Sequence, residues 1–302
     1  MSKPTVIRKR PPNPPPLRRL SIRARRWWSG ILQRRRKRAW RKTHPRPVGK
    51  TVCFVLGCQR SGTNMLIRTL DRMMEVDRFD EDDSRAFVGN RIRGKEVRAR
   101  LIAKSNAACI IFKPICDSHR ALELLCDHPG AKVIWIYRRF SDVAASAVQY
   151  WGELSRLFIT DLLAGGGAWN QFQWNREGVT EESLAPIRAA IPTPLSDIDA
   201  ACIFWHLRNA LFFAQGLQNR PDVQLIRYET LVADAPTGFA NLCSFMDLAF
   251  DPAAVARVHK ESVGKGAQHP IAPEVYTLCE GLLRRLDAAA EAHHGRNVVT
   301  AK

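Results

Sequence analysis

The chain has 302 residues and a formal net charge of +18, and all of the excess charge lies at its N-terminal end. Residues 1–50 contain 18 of the 47 Lys and Arg residues and no Asp or Glu, so the other 29 basic residues balance 29 acidic ones. A hydrophobic content of 45% supports one α/β domain of about 250 residues. No specific nucleic-acid partner is expected.

The first 50 residues form a basic, proline-rich arm that we expect to be separate from a domain over residues 51–302. The arm has eight of the 18 prolines and cannot bury much apolar surface, so a disordered or extended start is expected. Residues 21–41 lack proline and can form a basic helix that carries large apolar side chains, namely Trp27, Trp28, Ile31, Leu32 and Trp40. Two interpretations stay open, which are peripheral association with an anionic membrane and a solvated tail with non-specific affinity for polyanions.

No apolar segment of the arm or of the domain predicts export or membrane insertion. The basic stretch is not followed by the apolar core of a signal peptide, and no run approaches the roughly 18 apolar residues of a spanning helix. The eight cysteines are scattered and none forms a CxxC pair, so we expect reduced core thiols rather than disulfides or a zinc site. The sequence therefore predicts a cytoplasmic protein that needs no metal.

The most informative segment is residues 51–64, which read TVCFVLGCQRSGTN. An apolar run, Val52–Leu56, predicts a buried strand that stops at Gly57. After a short polar loop, apolar residues recur at helical spacing from Asn64 to residue 74. Because the N–H groups at a helix start bind anions, this strand, loop and helix predict a phosphate-binding site.

The loop departs from a P-loop at two positions. Gly57 and Gly62 have the P-loop spacing, but Thr63 and Asn64 stand where that loop has its Lys and its Ser or Thr. The one cation in the loop is Arg60. The segment therefore predicts a nucleotide-like anion bound without the usual contacts to magnesium and a γ-phosphate.

Beyond this loop, short apolar segments alternate with helical ones. Predicted strands follow at 109–112, 132–137 and 223–226, and predicted helices at 91–103, 121–125, 141–151, 198–217 and 238–246. This alternation predicts a P-loop-like, three-layer α/β fold with a central parallel sheet and helices on both faces. Ligands of such folds lie at the carboxyl ends of the strands, where this chain has Arg60, Lys113, Arg138 and Tyr228.

Four segments resemble the sulfotransferases that use 3′-phosphoadenosine 5′-phosphosulfate (PAPS). They are GCQRSGTN, like the family's 5′-phosphosulfate loop; the acidic FDEDDSRAF at 79–87, like a loop of the carbohydrate and tyrosylprotein branch; YRRFSDVAAS at 137–146, like the 3′-phosphate motif; and LIRYETLVADAP at 225–236, like the adenine-side strand and loop. The resemblance covers roughly residues 51–285. It implies sulfuryl transfer from PAPS to a hydroxyl of an acceptor, with 3′-phosphoadenosine 5′-phosphate (PAP) as product. The branch suggests a carbohydrate, a glycolipid or a peptide tyrosine as the acceptor, rather than a small phenol.

The resemblance also implies which residues hold PAPS. In the first loop, the residues implied are Gly57, Arg60, Ser61, Gly62, Thr63 and Asn64. Arg60 is placed to stabilise the charge that develops on the leaving phosphate. Arg138 and Ser146 are assigned to the 3′-phosphate, whereas Asp142 between them is interpreted as a capping or surface residue. Tyr228 is assigned to adenine, and Lys265 lies in a loop that can close over the 3′-phosphate.

The base that deprotonates the acceptor is left open between carboxylates. Small-molecule members of the family carry a His two residues after a strand-end Lys, and this chain has Lys113 followed by Pro114 and Ile115. The acidic loop offers Glu81 or Asp83 instead, because neighbouring carboxylates and burial raise a carboxylate's pKa towards that of a useful base. The alternative interpretation of this loop is a solvated acidic turn.

Two further residues are predicted to meet the acceptor. Lys113 resembles the family's strand-end lysine, although a surface lysine beside a proline explains it as well. His206 lies on the long predicted helix and can line the acceptor cleft, although such residues more often belong to core or surface. A P-loop kinase or NTPase is the competing enzyme class, and a membrane- or polyanion-binding protein driven by the arm is the competing non-enzyme.

Overall fold

The computed structural model describes residues 16–44, 49–166, 174–261 and 263–299, with side chains from residue 30 to residue 293 within those ranges. The chain divides into two compact units, residues 1–45 and 46–302, which are described separately. The predictions for residues 1–15 and for the side chains of Trp27 and Trp28 lie outside the described residues.

The N-terminal unit contains one long helix, α1, over Pro16–Thr43. It starts five residues before the segment whose sequence allows a basic helix. At its end, the Trp40 ring stacks on His44 with centroids 3.7 Å apart, and Arg41 and Lys42 place positive charge where the helix dipole favours it. Within the described part of the chain, no helix is long and apolar enough to cross a membrane.

The second unit is built on a five-stranded parallel sheet with the order β2-β5-β1-β6-β7 and a separate hairpin of β3 and β4. The strands are β1 Thr51–Gly57, β2 Val76–Phe79, β3 Phe87–Val88, β4 Arg91–Ile92, β5 Cys109–Phe112, β6 Lys132–Tyr137 and β7 Val223–Arg227.

Eleven α-helices of the described residues connect and cover these strands. They are α2 Thr63–Leu70, α3 Lys95–Lys104, α4 Ala121–Asp127, α5 Phe140–Trp151, α6 Leu154–Leu163, α7 Glu181–Ala190, α8 Asp197–Ala214, α9 Tyr228–Ala233, α10 Ala235–Phe245, α11 Pro252–Val255 and α12 Pro273–Val299. A 3-10 helix, Ile115–Arg120, follows β5.

Helices cover both faces of the sheet because the side chains of each strand alternate between two cores. In β1, Phe54 and Leu56 join the core that includes Trp135 and Trp205, both without exposed surface. The intervening residues of β1 join the second core, which α2 and α10 cover. The predicted three-layer α/β fold is therefore confirmed, and seven of the eight cysteines are buried, as expected of core thiols.

One predicted helix differs from the structure, and one strand of the sheet was not predicted. The helix expected at 91–103 begins only at Lys95, because Arg91 and Ile92 pair with β3. Strand β2 was not predicted, because its sequence, VDRF, is half polar, and it forms at the sheet edge beside β5. The position of β2 matters for the site, since the acidic loop follows it directly.

The strand order places a crevice at the carboxyl end of β1. After β1 the chain adds β2 and β5 on one side, and then β6 and β7 on the other. Ligands of open α/β sheets bind where the strand order reverses in this way. The loop after β1 and the start of α5 after β6 meet at that point.

Candidate functional site

The backbone of the loop after β1 requires glycine at both of its ends. Gly57 has φ 132°, and a Cβ there would lie 2.3 Å from the carbonyl oxygen of Ile136 on the neighbouring strand. Gly62 has φ 97° and precedes α2 without a capping side chain. The first N–H groups of α2 therefore have no helical acceptor and are arranged for an anion.

Ser118 supports the start of this loop. Its Oγ accepts a hydrogen bond from Gly57 N at 3.1 Å and lies 2.9 Å from the carbonyl oxygen of Ile115. Ser118 is fully buried in the 3-10 helix after β5. The sequence analysis did not identify it, because a lone serine in a helical segment gives no signal of a contact with a distant loop.

Tyr228 packs directly on the loop at Gly62. A Cβ at Gly62 would lie 2.3 Å from Cδ2 of the Tyr228 ring, and this ring is buried. The ring also meets a cation, because Arg138 Cζ lies 4.8 Å from its centroid. Tyr228 therefore contacts both the loop at 57–64 and Arg138, which follows the end of β6.

We expect Gly62→Ala to displace Tyr228 and to lower stability. The left-handed backbone costs about 1–2 kcal/mol for alanine, and the clash with the ring adds about 1–3 kcal/mol. Gly130→Ala is the matched control, since Gly130 has φ 82° and open space around its Cβ position. Chemical denaturation of both variants measures the difference, and equal losses of unfolding free energy would show that Tyr228 does not constrain the loop.

Arg60 reaches from the loop to the motif at 137–146. Its Nε donates a hydrogen bond to Ser146 Oγ at 3.0 Å, and its Cζ lies 4.7 Å from the Tyr150 ring centroid. Burial lowers the pKa of Arg60, and the nearby Arg138 acts in the same direction. Among the described residues, Arg60 has no carboxylate within ion-pair distance. Two neighbouring guanidinium groups favour an anionic ligand.

Arg138 is buried and is held by Asp142 and Trp205. NH2 of Arg138 pairs with Asp142 Oδ2 at 3.1 Å, and its carbonyl oxygen accepts a hydrogen bond from Trp205 Nε1 at 2.9 Å. Asp142 also accepts hydrogen bonds from Gly264 N at 2.8 Å and Gly266 N at 2.6 Å. Asp142 thereby fixes a loop of the C-terminal region beside Arg138.

The interpretation of Asp142 as a capping or surface residue is wrong. Its carboxylate is buried, and its partners are Arg138 and the loop at 264–266 rather than solvent. The loop is held closely, since a Cβ at Gly266 would lie 2.2 Å from backbone atoms of Ser141. Lys265 is the exposed middle residue of this loop. The loop's bonds to Asp142 therefore bring Lys265 close to the motif at 137–146.

Glu81 and Asp83 have different surroundings. Glu81 forms an ion pair with Lys113, whose Nζ also donates to Asn64 Oδ1 at 2.9 Å. The side chain of Glu81 is 14% exposed, and burial raises its pKa while Lys113 opposes that effect. Asp83 pairs instead with Arg85, an exposed residue of its own loop, at 2.6 Å. Lys113 thus contacts both Glu81 and Asn64 at the end of the loop at 57–64.

His206 lies on α8 beside Arg285 of α12. Burial, with a smaller contribution from Arg285, lowers the pKa of His206 to about 4, so its imidazole is neutral at neutral pH. Its Nδ1 is buried without a hydrogen-bond partner in the described parts of the chain. No contact of His206 with Arg60, Glu81 or Lys113 is seen among the described residues, so its predicted role towards the acceptor gains no support from the geometry.

Ser61 tests whether the loop fits an anionic group. Its side chain is fully buried, and its Oγ has no hydrogen-bond partner among the described residues. An unpaired buried hydroxyl costs about 1–3 kcal/mol, so the loop is more stable when an acceptor oxygen takes that hydrogen bond. Together with the open N–H groups of α2, this hydroxyl fits the phosphosulfate end of PAPS.

Comparisons with known proteins identify what this chain is similar to. Residues 50–266 match the family model described as the sulfotransferase domain. A search of the curated proteins finds no match. Similar solved structures include a sulfotransferase from Alicyclobacillus acidocaldarius, with 16% identity over 81% of this chain and 96% of that chain (TM-score 0.46). They also include the sulfotransferase domain of the Synechococcus PCC 7002 olefin synthase, with 14% identity over 80% and 98% (TM-score 0.46), and mouse sulfotransferase SULT7A1 complexed with PAP, with 12% identity over 75% and 71% (TM-score 0.36).

Proposed function

The chain belongs to the sulfotransferase family, and from this premise we propose that the loop at 57–64 and the motif at 138–146 together bind PAPS for transfer to an acceptor hydroxyl. The observation that carries the proposal is the contact of Arg60 Nε with Ser146 Oγ at 3.0 Å. It joins the two anion-binding segments into one site. Family membership also decides against the P-loop kinase or NTPase.

The residues that would hold PAPS divide between its two charged ends. Ser61 Oγ and the first N–H groups of α2 would hold the 5′-phosphosulfate, and Arg138 with Ser146 would hold the 3′-phosphate. Tyr228, which lies on the Arg138 guanidinium, offers a ring for the adenine side. PAPS supplies an activated sulfuryl group, which passes to the acceptor oxygen as its bond to the phosphate oxygen breaks.

The side chains around the loop have distinct tasks in this scheme. Glu81 takes the proton of the acceptor hydroxyl, because burial raises its pKa and so makes it a stronger base. Arg60 stabilises negative charge that develops on the loop side of the site. Lys113 contacts both Glu81 and Asn64, so it fixes the base relative to the loop. Asp83 is the weaker candidate, since Arg85 already pairs with it.

For the acceptor, we favour a carbohydrate or glycolipid. The support is the acidic loop at 79–87, which resembles that of the carbohydrate and tyrosylprotein branch rather than that of the small-molecule members. The experiment is a screen of acceptors with radiolabelled PAPS, in which sugars, glycolipids, tyrosine peptides and phenols are compared. Label in a sugar or glycolipid supports the proposal. Label confined to phenols or peptides would reject the acceptor class and leave sulfuryl transfer intact.

The arm is proposed to bind anionic membranes through residues 21–41. Its helix α1 has basic residues along its length and no acidic residue in its first turn. Each Lys or Arg near an anionic surface contributes about 1 kcal/mol to binding.

Deletion of residues 1–45 should abolish sedimentation with phosphatidylserine-containing vesicles at low salt and leave PAP affinity unchanged. Phosphatidylcholine vesicles are the control for charge, because they should not sediment the full chain. If the truncated protein still sediments with the vesicles, the membrane-binding surface lies in residues 46–302. Lost PAP affinity would instead make the arm part of the nucleotide site.

A further inference from the structure

Arg208 of α8 is a buried cation with two unused donor groups. It is 1% exposed, and its NH2 donates to the carbonyl oxygen of Ile115 at 3.0 Å. Its Nε and NH1 have no hydrogen-bond partner in the described parts of the chain. An arginine stays protonated in proteins, and a buried unpaired charge is strongly unfavourable. Arg208 therefore has no anionic partner at Nε or NH1 among the residues that the structure describes.

The groups around Arg208 do not supply that anion. Burial raises the pKa of the Cys58 and Cys116 thiols to about 12, so both stay neutral at neutral pH. The carboxylate of Asp117, which acts electrostatically on Arg208, accepts hydrogen bonds from Ile92 N at 2.8 Å and from Arg91 Nε at 2.6 Å. The Asp117 carboxylate is thus engaged by other donors, and the ring of a tryptophan lies on the guanidinium of Arg208.

Two buried acceptor atoms near Arg208 also lack donors. Gln59 Oε1 has no partner among the described residues, and its amide nitrogen has only the weak contact with Cys116 Sγ at 3.9 Å. His119 Nδ1 is likewise without a partner, while its Nε2 lies 2.7 Å from Glu177 Oε2. Burial and Arg208 lower the pKa of His119 and so favour its neutral form. In that form Nε2 keeps the proton that it donates to Glu177, and Nδ1 carries the lone pair. A ligand with hydroxyl groups would satisfy both atoms.

Arg208 lies on the side of the loop where the proposed base is found. Gln59 directly precedes Arg60 in the loop, and Gln59 contacts Cys116. Arg208 donates to the carbonyl oxygen of Ile115, which follows Lys113 by two residues, and Lys113 pairs with Glu81. These contacts place Arg208 at the end of β5 that also holds Lys113 and Glu81, which is the proposed acceptor end of the site.

We propose that the acceptor carries an oxyanion, a carboxylate, phosphate ester or sulfate ester, which pairs with the unused Nε and NH1 of Arg208. This inference rests on the proposed function, because it places the acceptor between Glu81 and Arg208. It gives the acceptor class a charge requirement, so neutral sugars and simple phenols are poorer substrates than hydroxylated anions.

The test is the melting temperature of the full chain saturated with PAP, so that oxyanions do not compete for the phosphate sites. Acetate, methyl phosphate and methyl sulfate are each compared with chloride at equal ionic strength. At least one should raise Tm by about 2 °C or more over chloride. The response of the three probes distinguishes a carboxylate from a phosphate or sulfate ester.

Two variants separate Arg208 from other cations. Arg208→Met should abolish the response, and without oxyanion its Tm should equal or exceed that of the wild type, because a buried unpaired charge is removed. Arg220→Met should keep the full response, since Arg220 pairs with Asp222 near the surface. Arg208→Lys, which keeps the charge, should retain a reduced response.

The outcomes distinguish this inference from the proposed function. A protein that PAP itself does not stabilise would overturn both. Stabilisation by PAP, with no oxyanion response in the wild type or an equal response in Arg208→Met, would overturn the inference alone. A fall of more than about 5 °C in Arg208→Met without oxyanion would also overturn it, because Arg208 would then be a structural cation.

Discussion

Arg60→Ala should lower kcat by about 100- to 1,000-fold while the protein stays folded, which is the effect of removing one donor that stabilises charge in the transition state. Arg60 is the cation of the loop, and its Nε holds Ser146 at 3.0 Å. Its removal therefore takes away a charge and also loosens the contact between the two anion-binding segments. Sulfuryl transfer under saturating PAPS measures kcat, and PAP calorimetry measures the loss of binding.

Arg68→Ala is the matched control for Arg60→Ala. Arg68 lies on α2, close to the same loop in sequence, but its side chain is exposed. Its removal lowers the positive charge by the same amount and should change kcat by less than about twofold, because exposed charges are screened by solvent. Equal losses in both variants would reduce the role of Arg60 to long-range attraction of an anionic co-substrate.

Glu81→Gln should lower kcat by about 100- to 10,000-fold, the range measured when a general base is lost. Glutamine keeps the shape and can still accept a hydrogen bond from Lys113, so the fold of the loop should be kept. Asp83→Asn is the control, because Asp83 pairs with the exposed Arg85. A larger loss in Asp83→Asn than in Glu81→Gln would move the base to residue 83.

The pH dependence gives a second measurement on Glu81. Burial disfavours the charged carboxylate and raises its pKa, so Glu81 takes up a proton at a higher pH than an exposed glutamate does. Only the ionised form acts as a base, so kcat/KM should fall as the pH is lowered through that raised value. The Glu81→Gln variant should lose this acidic limb, whereas an unchanged limb would assign it to another group.

The first loop and the layers of the fold could be predicted from sequence because their signals are local. The strand of residues 52–56 is continuously apolar, and the two glycines of the loop occupy backbone conformations that other residues adopt poorly. The same holds for the parallel sheet, whose strands alternate with helical patterns along the chain. Each of these features needs only a short stretch of residues to be recognised.

The choice between Glu81 and Asp83 could not be made from sequence, because it depends on a strand pairing. Phe79 of β2 lies beside Phe112 of β5, so Glu81 and Lys113 follow two neighbouring strand ends and meet there. Since the half-polar β2 was not predicted, the loop after it had no fixed position. The acidic run itself looks the same whether it is solvated or buried.

Asp142 and Ser118 were missed for a related reason. An aspartate four residues after Arg138 at a helix start is explained by local capping, and its two bonds to the loop at 264–266 come from a distant part of the chain. Ser118 contacts Gly57 only because the 3-10 helix after β5 packs under the loop. Both residues position the site through long-range hydrogen bonds, which composition and periodicity do not contain.

The most direct measurement of the central claim is a calorimetric titration of the full chain with PAP, with 5′-AMP and magnesium ATP as comparators. We predict that PAP binds at least about 100-fold more tightly than 5′-AMP, because the buried Arg138 and its neighbour Ser146 would pair with the 3′-phosphate, and such charge-assisted contacts contribute about 1.5–3 kcal/mol each. Magnesium should not strengthen PAP binding. Equal affinities for PAP and 5′-AMP, or tighter binding of magnesium ATP than of PAP, would contradict the account.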